Sequence, residues 1–244
     1  DEYEKIPRNE SGEIFLEITS RSFDVRIHKQ DELNQLRLVY KKHDYISDKD
    51  LIKINDKTKI IFNENNSSDT LIEKGLKISV DLQGSKNIVA YSAKKNAPLL
   101  EFNKINYHNI KDYWQEIYSN DNKIVIEKNK FYILKSKEKV RIPSYLAGEM
   151  IPYDTGIGDF RAHYAGFFDP GFGEPNGSYA VLEVKTSELP FVIEDDQTIA
   201  RIKYEKLNKK SNIVYGLGIK SNYQNQGLKL SKHFKTNNEK NNNN

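Results

Sequence analysis

The chain has 244 residues, of which 37% are hydrophobic, 30% charged and 11% aromatic, a polar but globular composition that excludes a disordered chain. Its formal net charge of +3 carries no sharp basic cluster, so no nucleic-acid partner is expected. Cysteine is absent, which excludes disulfides and thiolate metal sites, and no apolar run approaches the roughly 18 residues a membrane span requires.

From the N-terminus, alternation of apolar and polar residues predicts strands at Glu13–Ile18, Phe23–Ile27 and Gln35–Tyr40. A stretch rich in Asp, Lys and Asn follows and reads as a linker over residues 46–70. Further strands are expected at Leu76–Leu82, Ile88–Ala93, Leu99–Phe102, Lys123–Glu127 and Phe131–Leu134, with a short helix at Asp112–Tyr118. The run from Arg141 to Gly148 reads as strand, turn and new strand. Strands at Tyr179–Val184, Pro190–Ile193 and Ile199–Tyr204 close the pattern, and the polar tail over 235–244 is expected to be disordered. Many short strands at this spacing predict an all-β fold with minor α content, a sandwich or barrel.

The first and last strand groups also resemble each other at one constant offset. Leu16-Glu17-Ile18 lies over Leu182-Glu183-Val184, Phe23 over Leu189, Ile27 over Ile193, Leu33 over Ile199 and Leu36 over Ile202. A duplicated domain is the expectation, with residues 1–45 as the end of a first copy and 71–234 as the second. The chain opens on Asp1 already in strand-like sequence, so the front of the first copy is expected to be missing.

Standard catalytic patterns are few. There is no P-loop, GxGxxG, HExxH or GxSxG, and the five histidines are scattered. The zinc deaminase signature needs two cysteines, so that route is closed. Two segments carry the remaining chemistry. In the first, Tyr164 to Gly173 contains Asp169-Pro170-Gly171 and precedes Glu183 on an apolar strand. Asp-Pro-Gly is turn chemistry, and a plain hairpin with an exposed Glu would explain it. Against that, alternation sets Glu183 opposite to Leu182 and Val184; on the inward face of a half-buried strand, a carboxylate is costly without a task or a partner. A desolvated Glu suits general-base work. The second segment, Tyr215 to Phe234, combines glycines, amide and hydroxyl donors with Lys220, Lys229 and Lys232. It reads either as an arm that folds over phosphates or as a flexible C-terminal arm.

These elements together, DPGFG with LEV, then PFVIEDDQTIARIKYEKL and YGLGIKSNYQNQGLKLSKHF, resemble the dCTP deaminase family of the dUTPase-like superfamily, in its tandem two-domain form. The resemblance implies a duplicated, distorted β-barrel or jelly roll. It implies zinc-independent conversion of dCTP to dUTP and ammonia, with Glu183 activating the water that attacks cytosine C4. It assigns Asp169 to the deoxyribose, Tyr164, Ala165 and Gly166 to the base edge, and Tyr215, Tyr223 and Gln226 to a closing element over the triphosphate. It further implies magnesium bound through the triphosphate with no protein metal ligands, a homo-oligomer, and dCTP or dUTP as the small-molecule partner; the absence of cysteine is consistent with a cytoplasmic location, and charge and apolar run length lead to the expectation of neither a nucleic-acid nor a membrane partner.

Departures from the family pattern keep other readings open. Where the family carries S-S-x-x-R, this chain reads Glu149 to Gly158, with neither the serines nor the arginine. Asn222 replaces a common lysine, and Glu17, the counterpart of Glu183, lacks a preceding D-P-G turn. The rivals are a dUTPase, a bifunctional enzyme that releases dUMP from dCTP, and a non-catalytic dUTPase-fold fragment that binds nucleotide or protein.

Overall fold

The computed structural model describes residues 6, 9, 11–38, 45–62, 71–84, 87–152, 160–163, 166–186, 189–210, 215–216 and 227–236, with the backbone alone for 160–163. The strands in chain order are β1 (Val25–Arg26), β2 (Ile61–Phe62), β3 (Leu76–Ser79), β4 (Ile88–Ala93), β5 (Leu100–Glu101), β6 (Trp114–Tyr118), β7 (Lys123–Ile126) and β8 (Phe131–Val140). They continue with β9 (Leu146–Pro152), β10 (Phe160–His163), β11 (Phe167–Phe168), β12 (Ser178–Thr186), β13 (Phe191–Glu194) and β14 (Thr198–Lys206). The helices are α1 (Asp48–Lys57) and α2 (Ile110–Tyr113). The expected all-β fold with minor helix is what forms. One sheet runs β10-β12-β8-β4-β6 with β2 added on β8, and a second runs β11-β9-β14-β3.

The two sheets share one apolar core because period-2 alternation turns one face of each strand inward. Along β12, Ser178, Ala180, Leu182, Val184 and Thr186 are buried, while Tyr179, Val181, Glu183 and Lys185 are half-buried on the other face. Leu134 of β8 lies opposite Leu182, and the core joins both to Ile78, Met150, Ile202 and Tyr204 of the second sheet. Polar groups bind the sheets as well. The buried Glu138 carboxylate of β8 accepts from the Ser79 amide at 2.9 Å and the Ser79 hydroxyl at 2.6 Å, so β8 and β3 are tied through a side chain. Burial pushes the Glu138 carboxyl above its ordinary value, against the pull of those hydrogen bonds. Between Tyr179 and Val181 the β12–β8 register slips by a bulge. There the Ala180 amide donates instead to Ser136 Oγ at 2.8 Å, which keeps a buried N–H satisfied.

A second apolar cluster covers part of the outward face of the first sheet. It joins Phe23 from the N-terminal segment, Tyr113, Trp114, Phe131 and Ile133, and Leu230 and Phe234 from the C-terminal segment. Phe23 meets Trp114 edge-on at 4.9 Å and Tyr113 at 5.2 Å. Backbone bonds fasten the C-terminal segment in place: the amides of Tyr107 and His108 both donate to the His233 carbonyl at 3.0 Å, and the Lys235 amide donates to the His108 carbonyl at 2.8 Å.

Three sequence expectations need correction. Trp114–Tyr118, expected as the body of a helix, is strand β6 paired with β4, and only Ile110–Tyr113 is helical. Aromatic and β-branched residues beside an available strand edge favour the ladder. Residues 46–62, expected within a linker, hold α1 and β2 and enter the core through Leu51, Ile60 and Ile61. Ser47 caps α1 by accepting from the Asp50 amide, and Asp48 and Asp50 complement its N-terminal dipole. Lastly, Glu13–Ile18 and the described part of Gln35–Tyr40 form no strand; Val25–Arg26 alone pairs, with β5. Ile14 and Phe15 are 72% and 86% exposed. Alternation alone makes no strand where no described neighbour completes the ladder. Val39, Tyr40, residues 63–70 and the tail from 237 lie outside the described residues.

Candidate functional site

The Asp-Pro-Gly turn follows β11, which pairs antiparallel with β9 through Phe168↔Gly148. The Phe172 amide donates to the Asp169 carbonyl at 3.1 Å, the Gly171 amide to the Ile142 carbonyl at 2.8 Å, and the Ile142 amide to the Phe172 carbonyl at 2.8 Å. The loop is thus pinned to the strand connection between β8 and β9. Gly173 is required there: its φ is +72°, and a Cβ would sit 2.1 Å from the Val140 carbonyl oxygen. Phe168 and Phe172 pack edge-on at 5.0 Å. The Tyr215 ring lies 6.0 Å from Phe172, and its amide donates to the Pro170 carbonyl at 2.8 Å. Gly166, at φ +76°, offers its carbonyl to the Met150 amide at 3.3 Å.

Asp169 is half-buried on this turn. Desolvation pushes its carboxyl upward, and a hydrogen bond from the Gln35 side chain pulls in the opposite direction. Asp169, Gly166 and Tyr215 are therefore gathered at the β9–β11 edge. Tyr164, Ala165, Tyr223 and Gln226 lie outside the described residues.

Glu183 belongs to the neighbouring sheet. Its register partners are Ile133 on β8 and the His163 backbone position on β10. The expectation that Glu183 points inward is corrected: Leu182 and Val184 take the core face, and Glu183 takes the outward face beside Val181 and Ile133. Ile133 belongs to the second apolar cluster and Val181 packs against it. The carboxylate is desolvated nonetheless, and burial pushes it up to about 7. Among the described residues no hydrogen bond or ion pair offsets that burial. β10 and β11, joined by three residues, run from the Glu183 edge of one sheet to the Asp169 edge of the other.

Further along the same outward face, Tyr179 lies under two cations, Lys135 Nζ at 4.6 Å and Lys139 Nζ at 5.1 Å. Lys135 also pairs with Asp81 at 2.7 Å, beside a cavity of about 170 Å³ lined by Asp81, Gln83, Asn87, Ile88, Val89, Lys135 and Leu228. Sequence reading missed these lysines and Gln35, because their relation to the site comes from strand pairing and segment packing across many residues. Among the described residues no group of three or more His, Asp or Glu side chains could hold a metal ion. No helix of the described residues is long and apolar enough to cross a membrane.

Comparison with known families matches residues 47–234 to the C-terminal domain of 2'-deoxycytidine 5'-triphosphate deaminase and residues 1–42 to its N-terminal domain. Among solved structures, the chain is similar to the 2'-deoxycytidine 5'-triphosphate deaminase of Agrobacterium tumefaciens, with a TM-score of 0.62 and 32% identity over 69% of this chain. The chain spans 50% of the length of that protein. The shared architecture is the dUTPase-like β fold. No curated protein sequence matches.

Proposed function

Because the chain belongs to the dCTP deaminase family, we propose that it carries the site for hydrolytic, zinc-independent deamination of dCTP to dUTP and ammonia. The single observation that carries this reading is Glu183, a carboxylate desolvated on a strand, held at about 7 and uncompensated among the described residues. A group poised near neutrality can accept a proton and return it in one cycle.

Glu183 takes a proton from water as the oxygen attacks cytosine C4. The tetrahedral adduct holds both the new hydroxyl and the amino group. Glu183 passes that proton to ring N3 as the C4=N3 bond opens, then carries the hydroxyl proton to the amino nitrogen, so that the C4–N bond breaks, ammonia leaves, the C4 carbonyl forms and the carboxylate is regenerated. One water is consumed and one ammonia released per nucleotide. Asp169, on its pinned turn, accepts from the sugar hydroxyl, and the Gly166 segment presents backbone groups to the base edge. Tyr215 belongs to the closing element, which in this reading includes Tyr223 and Gln226. Magnesium would arrive on the triphosphate, held by phosphate oxygens. Because the S-S-x-x-R segment is replaced by Glu149 to Gly158, phosphate donors come from elsewhere, which fits a site shared within a cytoplasmic homo-oligomer.

The test incubates the purified chain with dCTP and magnesium and follows ammonia and nucleotide products, with Glu183→Gln beside it. dUTP and ammonia in equal amounts, lost in the variant, support the reading. dUMP would replace it with bifunctional chemistry, and no turnover in a folded protein would leave a binding role.

A further inference from the structure

Beyond Glu183, the outward face of the first sheet turns basic and aromatic. On β8, Lys135, Lys137 and Lys139 are half-buried on that face, while Ser136, Glu138 and Val140 take the core face. The register sets Glu183 opposite Ile133, Val181 opposite Lys135 and Tyr179 opposite Lys139, so the lysines begin about 7 Å past Glu183 along β8. On the other side of β8, Phe62 of β2 is the partner of Lys139. Tyr179, Lys139 and Phe62 therefore form one line across three strands. Each ring carries two cations. Tyr179 holds Lys135 Nζ at 4.6 Å and Lys139 Nζ at 5.1 Å, and Phe62 holds Lys59 Nζ at 5.2 Å and the Arg141 guanidinium at 5.4 Å. Gly177, at φ +78°, lets these groups close up: a Cβ there would lie 2.7 Å from Phe62 Cδ2 and 2.9 Å from Lys139 Cβ.

Carboxylates answer only part of this charge. Asp81 pairs with Lys135 at 2.7 Å, Asp195 with Lys137 at 2.7 Å, and Glu174 lies 3.8 Å from Arg141. Among the described residues Lys59 and Lys139 have no ion pair, and the buried Arg141 Nε has no hydrogen-bond partner. Like charges gathered on one sheet face repel. A ring face, unlike a carboxylate, fixes an ammonium without cancelling its charge. Cations that are ordered but not neutralised are what a polyanion requires.

We propose that Lys59, Lys135, Lys139 and Arg141, set over Tyr179 and Phe62, form a polyphosphate site that takes the triphosphate of the nucleotide whose base meets Glu183. The nucleotide part of the inference rests on the deaminase reading of Glu183. The Asp169 turn is pinned at the same end of β8, through the Gly171 amide on the Ile142 carbonyl at 2.8 Å. Sugar and phosphates thus lie on the same side of Glu183. The patch supplies cations where the chain carries Glu149 to Gly158 in place of S-S-x-x-R.

The test is equilibrium binding by calorimetry in the presence of magnesium, using the full chain in a Glu183→Gln background that leaves the nucleotide unreacted. The ligands are dCTP, deoxycytidine and inorganic tripolyphosphate. Lys139→Gln and Lys59→Gln should each weaken dCTP and tripolyphosphate roughly tenfold, the scale of one hydrogen bond to a charged group, and leave deoxycytidine within about twofold. Lys139→Arg, which keeps the charge, should recover most of the loss. Lys123→Gln, on β7 and paired with Glu194 at 2.7 Å, should change none of the three. Lys59 is exposed and Lys139 half-buried, so neither substitution threatens the fold, and thermal unfolding checks this. Equal weakening of dCTP and deoxycytidine would reduce Lys139 to a structural role and overturn the proposal. Unchanged dCTP binding in both lysine variants, with a parent that binds dCTP, would overturn it and leave the deaminase reading intact. A parent that binds tripolyphosphate as tightly as dCTP, and loses both in Lys139→Gln, keeps the polyphosphate site and removes the deaminase reading. A parent that binds neither overturns both.

Discussion

Glu183→Gln should stabilise the fold at the same time as it removes the proposed base. The carboxyl's ordinary value is 4.5 and its folded value about 7, with burial as the cause. The sign follows from proton counting. Between these two values the folded state keeps a proton that the unfolded state has released, so stability falls as pH rises through that window. Below it the group is neutral in both states and contributes nothing. Above it the full penalty applies, about 3 kcal/mol if the whole difference is felt. The residue retains some contact with water, and screening brings the expected figure to about 1–3 kcal/mol. Glutamine keeps the shape without the charge. The variant should therefore match the parent at pH 4 and exceed it by about 1–3 kcal/mol at pH 8. Urea unfolding followed by fluorescence can read this, because Trp114 is the chain's one tryptophan and is buried. A difference that does not change between pH 4 and pH 8, or a variant weaker at pH 8, would refute the argument that Glu183 is held desolvated without compensation. The same carboxylate predicts the activity profile: kcat/KM for dCTP should rise with pH through about 7, as the base form appears.

Two further substitutions test the scaffold beneath the site. Gly173→Ala places a methyl against the Val140 carbonyl at a positive φ. It should cost at least about 2 kcal/mol in urea unfolding, since neither the backbone nor the turn can yield cheaply. Ser136→Ala leaves the Ala180 amide buried without its acceptor at the β12 bulge, for an expected loss of about 1–3 kcal/mol. A loss below about 0.5 kcal/mol would mean that the bulge relaxes to find another partner.

Legibility in the sequence followed how local each determinant is. Ile88–Ala93 and the strand around Glu183 could be read directly, because alternation along one strand reports which residues share a face. The Asp-Pro-Gly turn was equally plain, since its backbone demands are met by the residues at the turn itself. Alternation also separated Glu183 from Leu182 and Val184, but it could not say which face was the core. That depended on the second sheet packing against Leu182, and on Phe23, Leu230 and Phe234 arriving from both ends of the chain to build an apolar cluster on the other side. A sheet with apolar cover on both faces can desolvate a carboxylate that points away from its main core.

The same distinction explains the misreadings. Trp114–Tyr118 has the local pattern of an amphipathic helix end, and only the neighbouring edge of β4 makes it a strand. Glu13–Ile18 has the pattern of a strand, yet no described neighbour pairs with it. By itself, then, the sequence indicated the family, many of the strand-forming segments and the turn. Only the tertiary structure decided which face of β12 meets the main core and why Glu183 is desolvated on the other. Those outcomes depend on contacts between residues far apart in the chain, whose free energies appear only when the segments meet.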